Sequence, residues 1–231
     1  MQALEERAVV GTIGGDSKPD PDETNEPKFV GQFGEDKILW SMLGPKTDGF
    51  FLDIGAYDGV SGSNTLFFEQ VGWTGICVEP NPWKYVDCVK ARPRSRVVHA
   101  ALSRHHRVGV GQFTMVLEPT GSEQLSFLTT TAQHRYRCQV ESDRMYQVPV
   151  PVLSADMALG NYDGPIDFVS LDVEGGELDV LAGFDLARRR PRVFVIEDNS
   201  LGQDWQTEDY MARYGYARAY ATGCNVIYTL G

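Results

Sequence analysis

The sequence predicts an α/β domain, with a mainly parallel sheet and helices on both faces, and three observations carry that prediction. Five short runs, each of strand length, alternate with segments of helical periodicity. The runs are mainly apolar, as strands covered on both faces are. The chain closes on two β-rich runs around a glycine, the pattern of an antiparallel hairpin. Repeated strand and helix alternation implies right-handed crossovers, and a hydrophobic share of 42% in 231 residues suffices for one sizeable core.

In chain order, residues 1–27 carry Gly14-Gly15, Pro19, Pro21, Pro27 and several acids, with few large apolar side chains. Such a segment buries too little to offset its ordering entropy, so it reads as a flexible arm ahead of a domain over 28–231. Core strands are expected at Phe50 to Ile54, Gly75 to Glu79, Arg96 to Ala100, Ile166 to Asp172 and Arg192 to Glu197. Helices are expected at 35–43, 64–71, 82–91, 175–183 and 205–214. Tyr216 to Tyr220 and Asn225 to Thr229 make the hairpin, joined by the four residues 221–224, which brings the sheet to seven strands. From Arg107 to Pro151 the alternation breaks into polar, β-rich stretches and a Ser/Thr/Gln-rich loop, an insertion or lid between the third and fourth core strands.

Composition narrows the function. With 21 Lys plus Arg against 32 Asp plus Glu, the net charge of -11 disfavours a nucleic-acid partner. The basic run Arg188-Arg189-Arg190 with Arg192 suits a helix end. Cys77, Cys88, Cys138 and Cys224 are scattered without a C-x-x-C pair, which fits a reducing compartment rather than a zinc or disulfide framework. No window approaches a membrane span and the first residues lack a secretory core, so the expectation is a cytoplasmic protein without a membrane partner.

The strongest local signal is Phe51-Leu52-Asp53-Ile54-Gly55-Ala56-Tyr57-Asp58-Gly59, a strand that ends in an acid and a glycine turn, where open α/β sheets bind ligands. Gly55 allows close approach to the backbone, while Asp53 and Asp58 offer acceptors to ammonium or hydroxyl groups. Tyr57 replaces the second glycine of a dinucleotide fingerprint, and the flanking acids would repel a pyrophosphate. Glu79, before Pro80-Asn81-Pro82, is placed to accept ribose hydroxyls or simply to cap. Ser63 and Asn64 suit a ligand carboxylate or a helix cap equally. Gln32, Glu35 and Asp36 precede a short amphipathic helix able to fold over the ligand, though Glu35 also suits an early-turn helix acid.

Taken with Gln32-Phe33-Gly34-Glu35-Asp36, Val78-Glu79-Pro80-Asn81 and Leu171-Asp172-Val173-Glu174-Gly175-Gly176-Glu177, that strand and turn resemble the FkbM-type methyltransferases, Rossmann-like enzymes that use S-adenosylmethionine. The resemblance covers about residues 30–230. It implies that Asp53 and Gly55, with Tyr57, line the cofactor, that Glu79 beside Pro80 holds its ribose, and that Ala100, Ala101 and Leu102 cover its adenine. Glu35, Ser63, Asn64 and Asp172 complete the expected cofactor set. Such enzymes place the acceptor near the end of the fourth strand. There Asp172 is the candidate general base, with Glu174 beside it and Glu174 and Glu177 sharing a helix face.

An unperturbed carboxylate is a weak base for an alcohol, so either its environment raises Asp172 or a metal acidifies the hydroxyl. Asp172, Asp198 and Asn199 are oxygen donors suited to Mg2+, in an order similar to metal-assisted catechol-type methyltransferases; Asp198 and Asn199 would equally end a strand or cap a helix. His134, in the expected lid, is read as a surface residue rather than a base. The expected activity is O-methyl transfer to a small-molecule, sugar or glycan-like acceptor, and a homodimer is common on general grounds. A nicotinamide-dependent oxidoreductase is disfavoured by Tyr57 and by the absence of a Tyr-x-x-x-Lys pair. A silent S-adenosylmethionine-binding module is disfavoured by the Asp172-x-Glu174 pair.

Overall fold

The computed structural model describes residues 27–117, 122–142, 144–200 and 204–231. The arm expected over 1–27 therefore lies outside the described residues except for Pro27, as does part of the polar loop in the insertion.

The chain runs α1 (Glu35–Leu43), β1 (Phe50–Ile54), α2 (Leu66–Gln70), β2 (Thr74–Val78), α3 (Pro82–Ala91), β3 (Ser95–Val98) and β4 (Ala101–Leu102). It continues through β5 (Gly109–Leu117), α4 (Ala132–Glu141), β6 (Arg144–Leu153), α5 (Ala155–Leu159), β7 (Phe168–Leu171), α6 (Glu177–Leu181) and α7 (Leu186–Arg189). The end is β8 (Val193–Glu197), α8 (Trp205–Arg213), β9 (Tyr216–Thr222) and β10 (Asn225–Leu230).

Seven strands form one sheet in the order β3-β2-β1-β7-β8-β10-β9, parallel except for β10, which runs antiparallel to both β8 and β9. Alternate residues of the central strands feed two cores. Leu52, Ile54, Val78, Val169 and Leu171 point into one, while Phe51, Cys77, Phe168 and Val195 point into the other with Phe68 and Trp73. Burial on both faces is why these runs are continuously apolar. The order reverses between β1 and β7, so the crevice at their carboxyl ends is the topological switch point at which such sheets bind ligands.

The insertion between β3 and β7 folds as a second sheet, β4-β6-β5, with β5 and β6 paired antiparallel over nine residues. It also holds α4, where the sequence suggests a loop. Thr131 caps α4 by accepting from His134 N at 3.1 Å, and Arg137 pairs with Glu141 one turn on at 2.8 Å. Only His134 and Cys138 of its ten residues are buried, so its apolar stripe is too thin to stand out as a periodicity.

Three further boundaries differ from expectation. The hairpin connection is two residues, Gly223 and Cys224, because the ladder extends to Thr222 and Gly223 supplies a φ of +51°. The helix expected at 175–183 starts at Glu177, since Glu174 (φ +61°) and Gly175 (φ +101°) form a left-handed turn. Glu174 therefore does not share a helix face with Glu177. The run Arg188–Arg190 ends α7, where Arg188 and Arg189 pair with Asp163 at 2.5 and 3.1 Å. Among the described residues no helix is long and apolar enough to cross a membrane.

Candidate active site

Two adjoining cavities open at the switch point. A polar cleft of about 350 Å3 runs from Asp53 and Glu79 to Asp172 and Glu197. A narrow slot of about 30 Å3 leads off it between Ile54, Val78, Pro80, Ala101, Leu102 and Phe113. The cleft suits an amino acid and a ribose, and the slot suits a flat, apolar ring.

Gly55 shapes their junction. Its φ of +87° is left-handed, and a Cβ there would stand 1.7 Å from the carbonyl oxygen of Asp172. Only glycine fits, so the turn after β1 lies directly against the end of β7. Tyr57, also at positive φ (52°), turns its amide onto Glu79 Oε2 at 2.8 Å, and Asn81 N reaches Oε1 at 2.7 Å. Two backbone donors thus fix the Glu79 carboxyl at the cleft. Burial nonetheless pushes it up to about 8, against the opposing pull of those amides.

Asp53 and Ser63 also line the cleft but belong to a buried network centred on Arg92, a residue that sequence reasoning passed over. Arg92 is 1% exposed and donates to Glu69 Oε2 (2.9 Å), Thr65 Oγ1 (2.9 Å), Gly59 O (3.2 Å) and Ser63 Oγ (3.3 Å). Thr65 in turn donates to Asp53 Oδ2 at 2.5 Å. Burial raises the Asp53 carboxyl while Arg92 and Thr65 pull it down. Ser63 Oγ accepts from Leu66 N, the first residue of α2, at 3.1 Å, and Asn64 lines the cleft beside it. Asn64 Nδ2 donates to Ser170 at 3.2 Å, and its Oδ1 is buried without a partner. Asp58 is spent on the amides of Val60 and Ser61 at 2.8 and 2.7 Å.

Glu35 corrects an expectation. It is fully buried, accepts from Phe33 N through Oε2, and holds Thr222 (2.8 Å) and Asn225 (2.9 Å) through Oε1. Oε1 ties α1 to the β9–β10 hairpin and Oε2 is held by the backbone just ahead of α1, so Glu35 reaches neither cavity. Gln32, three residues earlier, lines the cleft instead.

At the opposite end, the structure brings Asp172, Glu174 and Glu197 together, with a carboxylate oxygen from each within 4.8 Å of the others. Asp172 opens into the cleft, whereas Glu174 and Glu197 are each 8% exposed. Glu174 Oε2 and Glu197 Oε2 have no hydrogen-bond partner, although His134 Nδ1 lies 3.1 Å from the former. Burial raises all three carboxyls, and Asp172 raises Glu174 and Glu197 further by repulsion. A hydrogen bond between Asp172 and Glu197 lowers the first and raises the second. Glu177 sits behind, accepting from Val173 N and Gly175 N at 3.2 and 3.0 Å, and burial lifts it to about 7.

The metal-ligand set read from the sequence shifts accordingly. Asp198 Oδ1 is occupied by Ser200 N at 2.8 Å and by the Ser200 hydroxyl, so Asp198 stands outside the acid cluster. Asn199 lines the cleft. Glu197, the last residue of an apolar strand, takes the place expected of Asp198; a lone acid closing a buried run is the signal that marks it. His134 is buried rather than on the surface, with Nε2 donating to Leu125 O at 2.9 Å, and burial lowers its imidazole.

This geometry meets its counterpart in the Methyltransferase FkbM domain, whose model matches residues 53–217. The chain belongs to the FkbM methyltransferase family. It is an S-adenosylmethionine-dependent methyltransferase of Rossmann-like fold. Solved structures of similar outline include precorrin-6Y C5,15-methyltransferase from Geobacter metallireducens GS-15, at 16% identity and TM-score 0.44 over 90% of this chain and 93% of that one. The C-terminal domain of the Rhodobacter capsulatus enzyme of the same name aligns at 13% identity and TM-score 0.46, over 90% and 97%. A TehB-like S-adenosylmethionine-dependent methyltransferase from Corynebacterium glutamicum aligns at 10% and 0.42, over 85% and 88%. No curated protein matches the chain.

In this FkbM methyltransferase the residues present fit the cofactor. The apolar slot would take an edge of the adenine, Glu79 would hold the ribose, and the unpartnered Asn64 Oδ1 with Asp172 would meet the amino-acid end.

Proposed function

We propose that the enzyme is an O-methyltransferase acting on a hydroxyl of a small-molecule, sugar or glycan-like acceptor. The observation that carries this reading is the acid cluster at the ends of β7 and β8, where Asp172 opens into the cleft beside the buried Glu174 and Glu197.

When bound, S-adenosylmethionine supplies an electrophilic methyl group on a positively charged sulfur. Asp172, open to the cleft and raised by its surroundings, takes the proton of the acceptor hydroxyl as that oxygen bonds to the methyl carbon and the carbon–sulfur electron pair returns to sulfur. Glu197, hydrogen-bonded to Asp172, fixes its orientation. Glu174 and the end of α4 wall the cleft and exclude water around the oxygen.

The same cluster fits a divalent cation better than the set Asp172, Asp198 and Asn199 does. Asp172, Glu174 and Glu197 would hold Mg2+, because two of their buried oxygens have no hydrogen-bond partner. Such an ion would lower the pKa of a bound hydroxyl.

The test is transfer of a radiolabelled methyl group to a panel of alcohols and glycosides, with Mg2+ and with chelator, followed by NMR of the product. A methyl ether formed by the wild type and lost in Asp172→Asn, with S-adenosylhomocysteine still bound, is the expected result. A methyl group on nitrogen or sulfur would overturn O-transfer. Undiminished transfer by Asp172→Asn would remove Asp172 as the base.

A further inference from the structure

Beyond the cofactor cleft lies a groove of about 760 Å3 between α4 of the insertion and the start of α8. Arg137, Glu197 and Asn199 line both spaces, so the two meet at the acid cluster. The groove therefore opens, beside Glu197, onto the cleft that Asp172 lines. Its size is that of a small-molecule site, large enough for one or two ring units.

The lining has a definite chemistry. Tyr136 and Trp205, each 69% exposed, offer aromatic surface from the two walls. Gln133, Gln206 and Asn199 add amide donors and acceptors. Acidic side chains predominate: Glu141, Asp198 and Asp204, with the raised carboxyls of Glu177 and Glu197, stand against Arg137 and the buried His134. Arg137 is already paired with Glu141 at 2.8 Å. Such a wall repels phosphate, as does the whole chain at a net charge of -11. Aromatic surface with neutral amides suits a ring that has an apolar C–H face and a hydroxyl edge.

We propose that this groove is the acceptor site, and that it takes an uncharged, hydroxyl-bearing ring with no phosphate attached. Tyr136 and Trp205 stack on the ring faces, and the groove presents the reacting hydroxyl at Asp172. The reaction follows from the charge: a sugar is methylated after its transfer from a nucleotide carrier, not while it still bears the diphosphate. This rests on the methyltransferase reading above and specifies its acceptor side.

The test uses the full chain loaded with S-adenosylhomocysteine, whose binding is first measured by calorimetry. Saturation-transfer NMR then compares 4-nitrophenyl glycosides of glucose, galactose, mannose, fucose, rhamnose and xylose with UDP-glucose. At least one neutral glycoside is expected to bind, with an affinity about tenfold weaker in Trp205→Ala and in Tyr136→Ala, whereas UDP-glucose gives no signal. Both side chains are exposed, so the variants should keep wild-type affinity for S-adenosylhomocysteine, which also serves as the folding control. No glycoside binding, glycoside binding untouched in both variants, or UDP-glucose binding as tightly as the glycosides would overturn the assignment. Failure of S-adenosylhomocysteine itself to bind wild-type protein would instead overturn the methyltransferase reading, so the two failures are distinguishable.

Discussion

Glu79 and Glu197 are both buried acids at the carboxyl end of a parallel strand, yet only Glu79 has both oxygens occupied by backbone amides. The same contrast runs across the cleft. On the β1–β2 side, Arg92, Thr65, Ser63 and Asp53 satisfy one another, and the ligand-facing groups are held in place before anything binds. On the β7–β8 side, three acids crowd together with two oxygens unpartnered. A satisfied network fixes shape, whereas an unsatisfied one holds a proton or a cation and is suited to moving protons. On the proposed function, the first side is the cofactor cradle and the second is the chemical end.

The largest effect should come from the joint between the two sides. Gly55→Ala drives a Cβ into the Asp172 carbonyl at a φ that disfavours side chains. Calorimetry should show S-adenosylhomocysteine binding weakened by more than about 100-fold, with much of the fold retained by circular dichroism. Near-wild-type affinity would mean that the turn and β7 are not rigidly opposed.

Arg92→Met attacks the satisfied network. It leaves Glu69 and Asp53 buried without their cation, so chemical denaturation should show a loss of about 3–5 kcal/mol. Adding Glu69→Gln should recover part of it. A loss under about 1 kcal/mol would show that the network is less tightly coupled than its distances imply.

Glu197→Gln acts on the unsatisfied side and should have the opposite sign. Removing one of three crowded acids relieves repulsion, so Tm should stay level or rise by about 2–4 °C per kcal/mol gained, while methyl transfer falls. A large drop in Tm would place Glu197 among the structural acids.

A further effect is one of pH. Burial holds Glu177 at about 7 and Glu79 at about 8, both above the ordinary value of 4.5. The folded chain thus binds more protons than the unfolded chain above pH 4.5, and stability is lost as pH rises through 7 and 8. Thermal melts of ligand-free protein should fall from pH 5 to pH 9. A rising Tm over that window would contradict the raised carboxyls.

These contrasts also explain what the sequence made legible. The central strands were readable because burial on both faces leaves runs such as Phe50 to Ile54 apolar but for one acid, Asp53. Gly55 and Glu79 were readable because a glycine and an acid at strand ends have few other uses. Arg92 was not, since in Arg92-Pro93-Arg94-Ser95-Arg96 it looks like one of several surface bases, and only the tertiary fold buries it against Glu69. Helix α4 was hidden because just two of its ten residues face the core. Glu35 was misplaced for the reverse reason: an acid at a helix start has a local use whatever it touches, and here it touches the distant hairpin.

The division between cradle and chemical end is tested most directly by titrating S-adenosylhomocysteine calorimetrically into wild type, Glu79→Ala and Glu197→Gln. Micromolar binding to wild type, at least tenfold weaker in Glu79→Ala and within about twofold of wild type in Glu197→Gln, is the predicted result. Binding indifferent to Glu79→Ala, or absent from folded wild-type protein, would contradict it.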